Sequence, residues 1–444
     1  TSMGLWVYDI LAGVQGTDKR VMLNKAETLA KEPLLRAEGL KGGGYYAEYR
    51  TDDARLTIEN IKTAANYGAV SVNYVRAEDF LYDADRQING VKCRDLIDEV
   101  PFDVAARFVV SAAGPWVDRL RQVDGSLQGK RLFLSKGVHV VVPHARFPVQ
   151  QAVYFDNHRD GRMIFAIPRH RVTYIGTTDT PYEGDLNNVP IHQEDVDYLL
   201  EATNVMFPEV GLKTEDVESS WAGLRPLIYE EGKSASEMSR KDEIFESESG
   251  LLSIAGGKLT GYRKMAERIV DRVVDKYEAL GRKADPPKTK KLPLTGGPFE
   301  NAAAVNAFRY ELTPRLEALG LEAYHAAYLI ANYGRQSERI LEKMADFQAT
   351  DAPATALLRA EAWYTVQHEL ACTLTDFYNR RTGRLYFHLP SILPALNSIA
   401  ADFADYLGWE EKRIRVEKEA VRAAIRHVTE FEYTAEKEKA GTEK

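Results

Sequence analysis

The sequence predicts an α/β protein in three parts. These are an open α/β domain, a mainly antiparallel-sheet domain set into it, and a helical C-terminal domain. Three observations carry this. An apolar strand, Leu251-Leu252-Ser253-Ile254-Ala255, runs into paired glycines and then an amphipathic helix pattern from Tyr262, the strand–turn–helix step of an α/β sheet. Between Leu132 and Ser253 strands follow one another with one clear helix, over 193–206, between them, which reads as an antiparallel layer. Beyond Phe299 the pattern is helical almost to the end. The boundaries expected are 1–130 with 248–283, then 131–247, then 284–444.

The chain has 444 residues, room for two or three domains. It carries 58 basic and 66 acidic side chains, a net charge of −8, without the basic excess of a nucleic-acid binder. No run of about 18 apolar residues suggests a membrane span. Thr1-Ser2-Met3-Gly4-Leu5-Trp6 has no basic region or cleavage signature, and Met3 behind Thr1-Ser2 reads as a truncated start. Cys93 and Cys372 lie far apart, and the histidines lack His-x-x-x-His spacing. No metal is expected, and the two cysteines are expected to be reduced.

Taken in order, Gly42-Gly43-Gly44 reads as a tight turn into a strand over 45–49. No Lys-Ser/Thr pair follows, so a phosphate loop is disfavoured. Asp52-Asp53 opens a helix whose apolar face would be Ala54, Ile58, Ile61 and Ala65, stopped by Gly68. An alternating strand is expected over 69–75, and Asn89-Gly90 signals a hairpin turn. The apolar run from Arg107 ends in Ser111-Ala112-Ala113-Gly114, as buried parallel strands do, and small residues at such a strand end mark a usual place for ligands. Gly114-Pro115-Trp116 breaks it before a helix. Strands are expected over 137–142, 152–155, 163–168 and 173–177, and Gly250 as a hairpin turn. The helix over 262–277 has one apolar stripe that includes Met265, Ile269, Val270 and Val273, and Asp285-Pro286-Pro287 begins a linker.

Four places could carry chemistry. In Gly256-Gly257-Lys258-Leu259-Thr260 the glycines allow close backbone approach by a flat or anionic ligand, and unpaired N–H groups of the helix start lie next to them; a plain packing turn is the alternative. Arg225 sits in the apolar Trp221-Ala222-Gly223-Leu224-Arg225-Pro226-Leu227 and needs an anionic partner, either a ligand or an acidic side chain. Arg240, beside Lys241, is a second guanidinium or plain surface charge. His139, in the apolar Lys136-Gly137-Val138-His139-Val140, is either a general base or a satisfied core histidine. Gly176-Thr177-Thr178-Asp179-Thr180 reads as a polar turn, with ligand binding by its hydroxyls the alternative.

Together the motifs carry more. Thr51-Asp52-Asp53-Ala54-Arg55-Leu56, Ala112-Ala113-Gly114-Pro115-Trp116-Val117-Asp118, Lys136-Gly137-Val138-His139 and Ile175-Gly176-Thr177-Thr178-Asp179 come in that order. Gly223-Leu224-Arg225-Pro226-Leu227, Ser239-Arg240-Lys241-Asp242 and Gly256-Gly257-Lys258-Leu259-Thr260-Gly261-Tyr262 follow. This series closely resembles the FAD-dependent glycerol-3-phosphate dehydrogenases. Glu369-Leu370-Ala371-Cys372-Thr373-Leu374-Thr375-Asp376 and Arg380-Arg381-Thr382 look like that family's C-terminal cap.

The resemblance implies an FAD/NAD(P)-binding Rossmann-like domain. Its G-x-G-x-x-G fingerprint, which would hold the pyrophosphate, is not found after any strand here. It implies FAD as cofactor and oxidation of sn-glycerol 3-phosphate to dihydroxyacetone phosphate, as in glycerol catabolism, with electrons passed to a quinone. A cytoplasmic protein, peripheral on the inner face of the membrane, is implied too, and a homodimer is left open. By matching motif, Arg225, Arg240, Lys258 and Thr260 would hold substrate. Gly114, Trp116, Gly256, Gly257, Lys258, Leu259 and Thr260 would meet the flavin. His139, Arg225 and Lys258 would be catalytic, with His139 the base and Arg225 alternatively a stabiliser of the developing alkoxide. An oxygen-using oxidase, an amine- or amino-acid-oxidising flavoprotein and a non-catalytic fragment are the competing readings. No obvious inserted segment of the oxidase type lies between Arg225 and the cap. Two arginines and a lysine exceed what one carboxylate needs.

Overall fold

The computed structural model describes residues 20–229 and 241–434. Its strands are β1 (Val21–Asn24), β2 (Gly42–Tyr45), β3 (Val75–Tyr82), β4 (Ile88–Asp95), β5 (Pro101–Ala105), β6 (Val110–Ser111), β7 (Leu132–Pro143), β8 (Val153–Asp156), β9 (Met163–Arg169), β10 (Val172–Gly176), β11 (Thr180–Pro181), β12 (Ser219–Ile228), β13 (Asp242–Glu246) and β14 (Leu252–Gly256). β7 is the spine of the largest sheet. It pairs antiparallel with β12 along one edge and with β10 and β11 along the other, and β9 and β8 continue beyond β10.

Alternation along β7 gives this sheet two unlike faces. Val138, Val140 and Val142 point into a core with Ile164, Ala166 and Ile175, closed by the Gln193–Met206 helix through Val196, Leu199 and Leu200. A buried ion pair pins that helix to the strand, Lys136 Nζ to Asp195 Oδ2 at 2.6 Å. The opposite face presents Ser135, Gly137 and His139 from β7, opposite Arg225, Gly223 and Trp221 from β12.

The α/β part is a small sheet in the order β13–β14–β6. β14 and β6 are its parallel pair, Leu252 opposite Val110 and Ser253 opposite Ser111. The Tyr262–Ala279 helix covers it, with Met265, Ile269 and Val273 against Leu252, Ile254 and Ile244. A meander, β3–β4–β5, lies beside it. The C-terminal part is helical and has two apolar cores, one around Leu329, Ile340 and Tyr364, the other around Phe377, Ile399 and Phe403. It meets the large sheet at β12, where Ser219 Oγ donates to Tyr386 O at 2.6 Å and Ser220 Oγ to Val428 O at 2.8 Å.

Four expectations are corrected. Gly42–Tyr45 is a strand paired with β1, and residues 46–50 are irregular. A Cβ on Gly42 would run into Leu23 O, so the first glycine serves strand approach. No strand forms over 69–74. Val70 is 92% exposed, and no described strand pairs there. Asn89-Gly90 lies inside β4, and the turn is at 83–87, where Asp83 Oδ1 accepts from Asp85 N and Gln87 N. Gly90 is needed because a Cβ would come within 2.5 Å of Val104 O. In the Asp53–Asn66 helix the buried residues are polar, Arg55, Glu59 and Thr63, while Ile61 of the expected apolar face is 39% exposed. Ion pairing overrides apolar periodicity there. Arg55 is bonded twice to buried Glu369, at 2.7 Å each, and Lys62 Nζ to the same carboxylate at 3.0 Å.

Candidate active site

Arg225 leans across from β12 toward β7, and the sequence makes room for it. A Cβ on Gly137 would lie 2.6 Å from its Nη2 and 2.7 Å from its Nη1. The guanidinium donates from Nη2 to Thr177 Oγ1 at 3.0 Å and from Nη1 to Asp179 Oδ1 at 3.3 Å. Asp179 is held in turn by the Ser135 hydroxyl, and its carbonyl accepts from Arg162. The acidic-partner alternative for Arg225 is met here, by Asp179, and its side chain is 31% exposed.

His139 sits two residues along from Gly137 on the same face. Its cross-strand neighbour Gly176 has no side chain because a Cβ there would enter the imidazole ring. The ring stacks on Trp221, centroids 4.6 Å apart at 12°. Nδ1 is buried with no protein acceptor or donor among the described residues. Burial, and then the Arg225 charge, push its pKa down to about 3, so the imidazole is neutral at neutral pH and, in this state, a weak base.

The glycine turn lies at the carboxyl end of β14. Gly256 and Gly257 both take positive φ, 79° and 78°, where a side chain is strained. A Cβ on Gly256 would meet Lys241 O at 2.7 Å, and one on Gly257 would meet Met265 Sδ at 2.7 Å. Lys258, Leu259 and Thr260 are exposed, and the helix behind them begins at Gly261 with no side-chain cap and no acidic residue in its first turn. A 3-10 turn over Leu259–Gly261 leads into that helix, and the Gly261 and Tyr262 N–H groups are taken by Lys258 O and Leu259 O. The Gly114–Trp116 turn packs against both β14 and β12. It thereby joins the glycine turn to the strand that carries Arg225. Arg240 lies outside the described residues.

The Thr177 and Thr178 hydroxyls were possible ligand contacts in sequence though a plain turn was preferred, and Asp179, Gly137 and Trp221 were passed over as parts of this site. The available signal was the two-residue period: Trp221, Gly223 and Arg225 share one face of β12, opposite Ser135, Gly137 and His139.

A family model for FAD dependent oxidoreductases matches residues 8–263, and a model for the C-terminal domain of alpha-glycerophosphate oxidase matches residues 287–414. The chain is 47% identical over 427 residues to the aerobic glycerol-3-phosphate dehydrogenase of Staphylococcus aureus strain bovine RF122 / ET3-1, covering 96% of this chain and 77% of that one. The chain belongs to the aerobic glycerol-3-phosphate dehydrogenases. It is 46% identical to the enzyme of Staphylococcus aureus strain USA300, with the same coverage. The crystal structure of the glycerol-3-phosphate dehydrogenase from Bacillus halodurans complexed with FAD superposes with a TM-score of 0.84 at 44% identity, covering 92% of this chain and 80% of that one. The fold of this dehydrogenase is thus that of the FAD-dependent oxidoreductases, with FAD the family's cofactor. No described helix is long and apolar enough to cross a membrane.

Proposed function

We propose that this protein oxidises sn-glycerol 3-phosphate to dihydroxyacetone phosphate and passes the electrons through FAD to a quinone. The observation that supports it best is the notch on the β7–β12 face. There, glycines clear space for one guanidinium and one neutral imidazole side by side. A phosphate ester of an alcohol needs both, a cation for the phosphate and a base for the hydroxyl.

The residues fit the flavin. Two positive-φ glycines without side chains, followed by the exposed Lys258, Leu259 and Thr260, allow the close backbone approach that the pyrimidine edge of the ring needs. In this reading Gly256, Gly257, Lys258, Leu259 and Thr260 line that edge, and Gly114 and Trp116 close its other side. Bound FAD supplies the hydride acceptor. Arg225, with Arg240 and Lys258, holds the substrate phosphate and orients the C2 hydroxyl toward His139. His139 takes the hydroxyl proton as hydride leaves C2. Burial is the larger cause of the depressed imidazole and the Arg225 charge the lesser, and an anion on Arg225 offsets the lesser one, shifting the imidazole toward higher basicity. Arg225 can instead stabilise the developing alkoxide, and loss of kcat rather than rise of KM in its variants would identify that role.

The match of residues 287–414 to a domain named for alpha-glycerophosphate oxidase keeps oxygen as a second acceptor. One experiment tests both. The chain is loaded with FAD, and glycerol 3-phosphate is added without air. Bleaching of the flavin absorbance, then recovery with a soluble quinone faster than with dissolved oxygen, is the expected result. Recovery by oxygen with stoichiometric hydrogen peroxide would replace the dehydrogenase reading with the oxidase, and no bleaching would reject both.

A further inference from the structure

A second cationic recess lies away from the glycine turn, where the large sheet meets the helical domain. It is small, about 40 Å³, and opens to solvent. The β9–β10 turn supplies Arg169, His170 and Arg171, and the helical domain supplies Tyr324, Arg384 and His388. Among the described residues no acidic side chain lines it. Each arginine has its carboxylate elsewhere. Arg169 bonds Asp52 at 2.6 Å, Arg171 bonds Glu218, and Arg384 bonds buried Glu361 at 2.6 Å.

Those pairs neutralise the guanidinium forks without satisfying every N–H. Arg384 is 4% exposed, yet its Nε is buried with no acceptor among the described residues. A buried donor on a charged group is costly to leave unmade. The surplus of positive neighbours also reaches His388, pushed down to about 3 by burial first and then by Arg384, Arg171 and His325. Three guanidiniums and no carboxylate among the described residues border a largely apolar space, a set that favours a small oxyanion over a cation.

We infer that this recess between the β9–β10 turn and the helical domain is a binding site for a phosphate group, free or as a small ester, separate from the Arg225 notch. Its floor includes Phe387, whose ring stands 5.6 Å from Trp221 and 6.3 Å from Tyr174. A bound anion would therefore rest one aromatic layer from His139.

The test weakens the notch first, with the FAD-loaded Arg225→Gln chain titrated calorimetrically with inorganic phosphate and, separately, methyl phosphate, and the charge reversals in the recess separate its binding from any that Arg240 and Lys258 retain. One phosphate per chain is expected to bind with millimolar or better affinity. Binding of both probes assigns the site to esters as well, and binding of inorganic phosphate alone assigns it to the free ion. His170 has φ 54°, which Asp and Asn tolerate. His170→Asp, which puts a carboxylate into the recess, is expected to weaken binding at least tenfold, and His170→Asn to retain most of it. If His170→Asp no longer melts cooperatively, Tyr324→Glu reverses the charge from the other wall. No binding to the Arg225→Gln chain, or equal binding after charge reversal, overturns the proposal. Flavin bleaching of the unmodified chain by glycerol 3-phosphate does not depend on this recess, so the two readings fail separately.

Discussion

One methyl group at Gly137 would sit where the Arg225 guanidinium now lies. Gly137→Ala should therefore shift the guanidinium while the apolar face of β7 stays packed. A fall of tenfold or more in kcat/KM, with a melting temperature within a few degrees of the parent, is the expected outcome. Arg225→Ala removes the charge outright, and a lost charge-assisted phosphate contact predicts about 2–4 kcal/mol in kcat/KM. Unchanged kinetics in that variant would remove Arg225 from the site. His139 carries a pH signature as well. Its folded pKa is about 3, below the ordinary value near 6.5, so its contribution to stability is whole above pH 6.5 and is lost as pH falls from there toward 3. The slope is at most about 1.4 kcal/mol per pH unit. Melting curves between pH 8 and 5 should show a shallower acid decline in His139→Gln than in the parent.

At the level of elements, two joints carry most of the load. The first is the turn between β14 and the Tyr262–Ala279 helix. Gly257→Ala would meet both positive φ and Met265. It is expected to lower FAD occupancy, read as the ratio of flavin to protein absorbance, more than it lowers helix content. The second is the Asp53–Asn66 helix against the helical domain. Arg55 bonds Glu369 through both terminal nitrogens and Asn332 O through Nε at 2.7 Å. Arg55→Met leaves Glu369 buried with Lys62 alone, and about 3–5 kcal/mol of stability should go in urea unfolding. The Arg55→Met, Glu369→Leu double variant should recover part of it. This joint also shows why that helix misled. Apolar spacing at Ala54, Ile58 and Ile61 was legible, but the buried partner, Glu369, lies 314 residues away, where no local pattern reaches. By contrast the 193–206 helix and the four strands from β7 to β10 obeyed local periodicity, because one face of each packs into a single core.

For the molecule as a whole, the three-part order was legible from composition and period. The ordered motifs pointed to the family before any geometry was known. The site was legible as residues and not as an assembly. Arg225 and His139 were visible in sequence, whereas their closeness depends on register between strands more than 80 residues apart, and Gly137, Gly176 and Asp179 gained meaning only from that register. The Arg225 carboxylate partner was hidden in what read as a plain turn.

The two-faced strand β7 has a consequence for how this enzyme can change. Val138, Val140 and Val142 hold the core while Gly137 and His139 serve the notch. A one-residue slip exchanges the two sets wholesale. Substitutions along β7 can be tuned one at a time, but a single-residue deletion at Val138 cannot be graded. It would turn the imidazole inward and a valine outward, so fold and turnover should vanish together. Lineages of this protein are thereby confined to replacing letters within β7, with insertions and deletions free only in the turns at its ends.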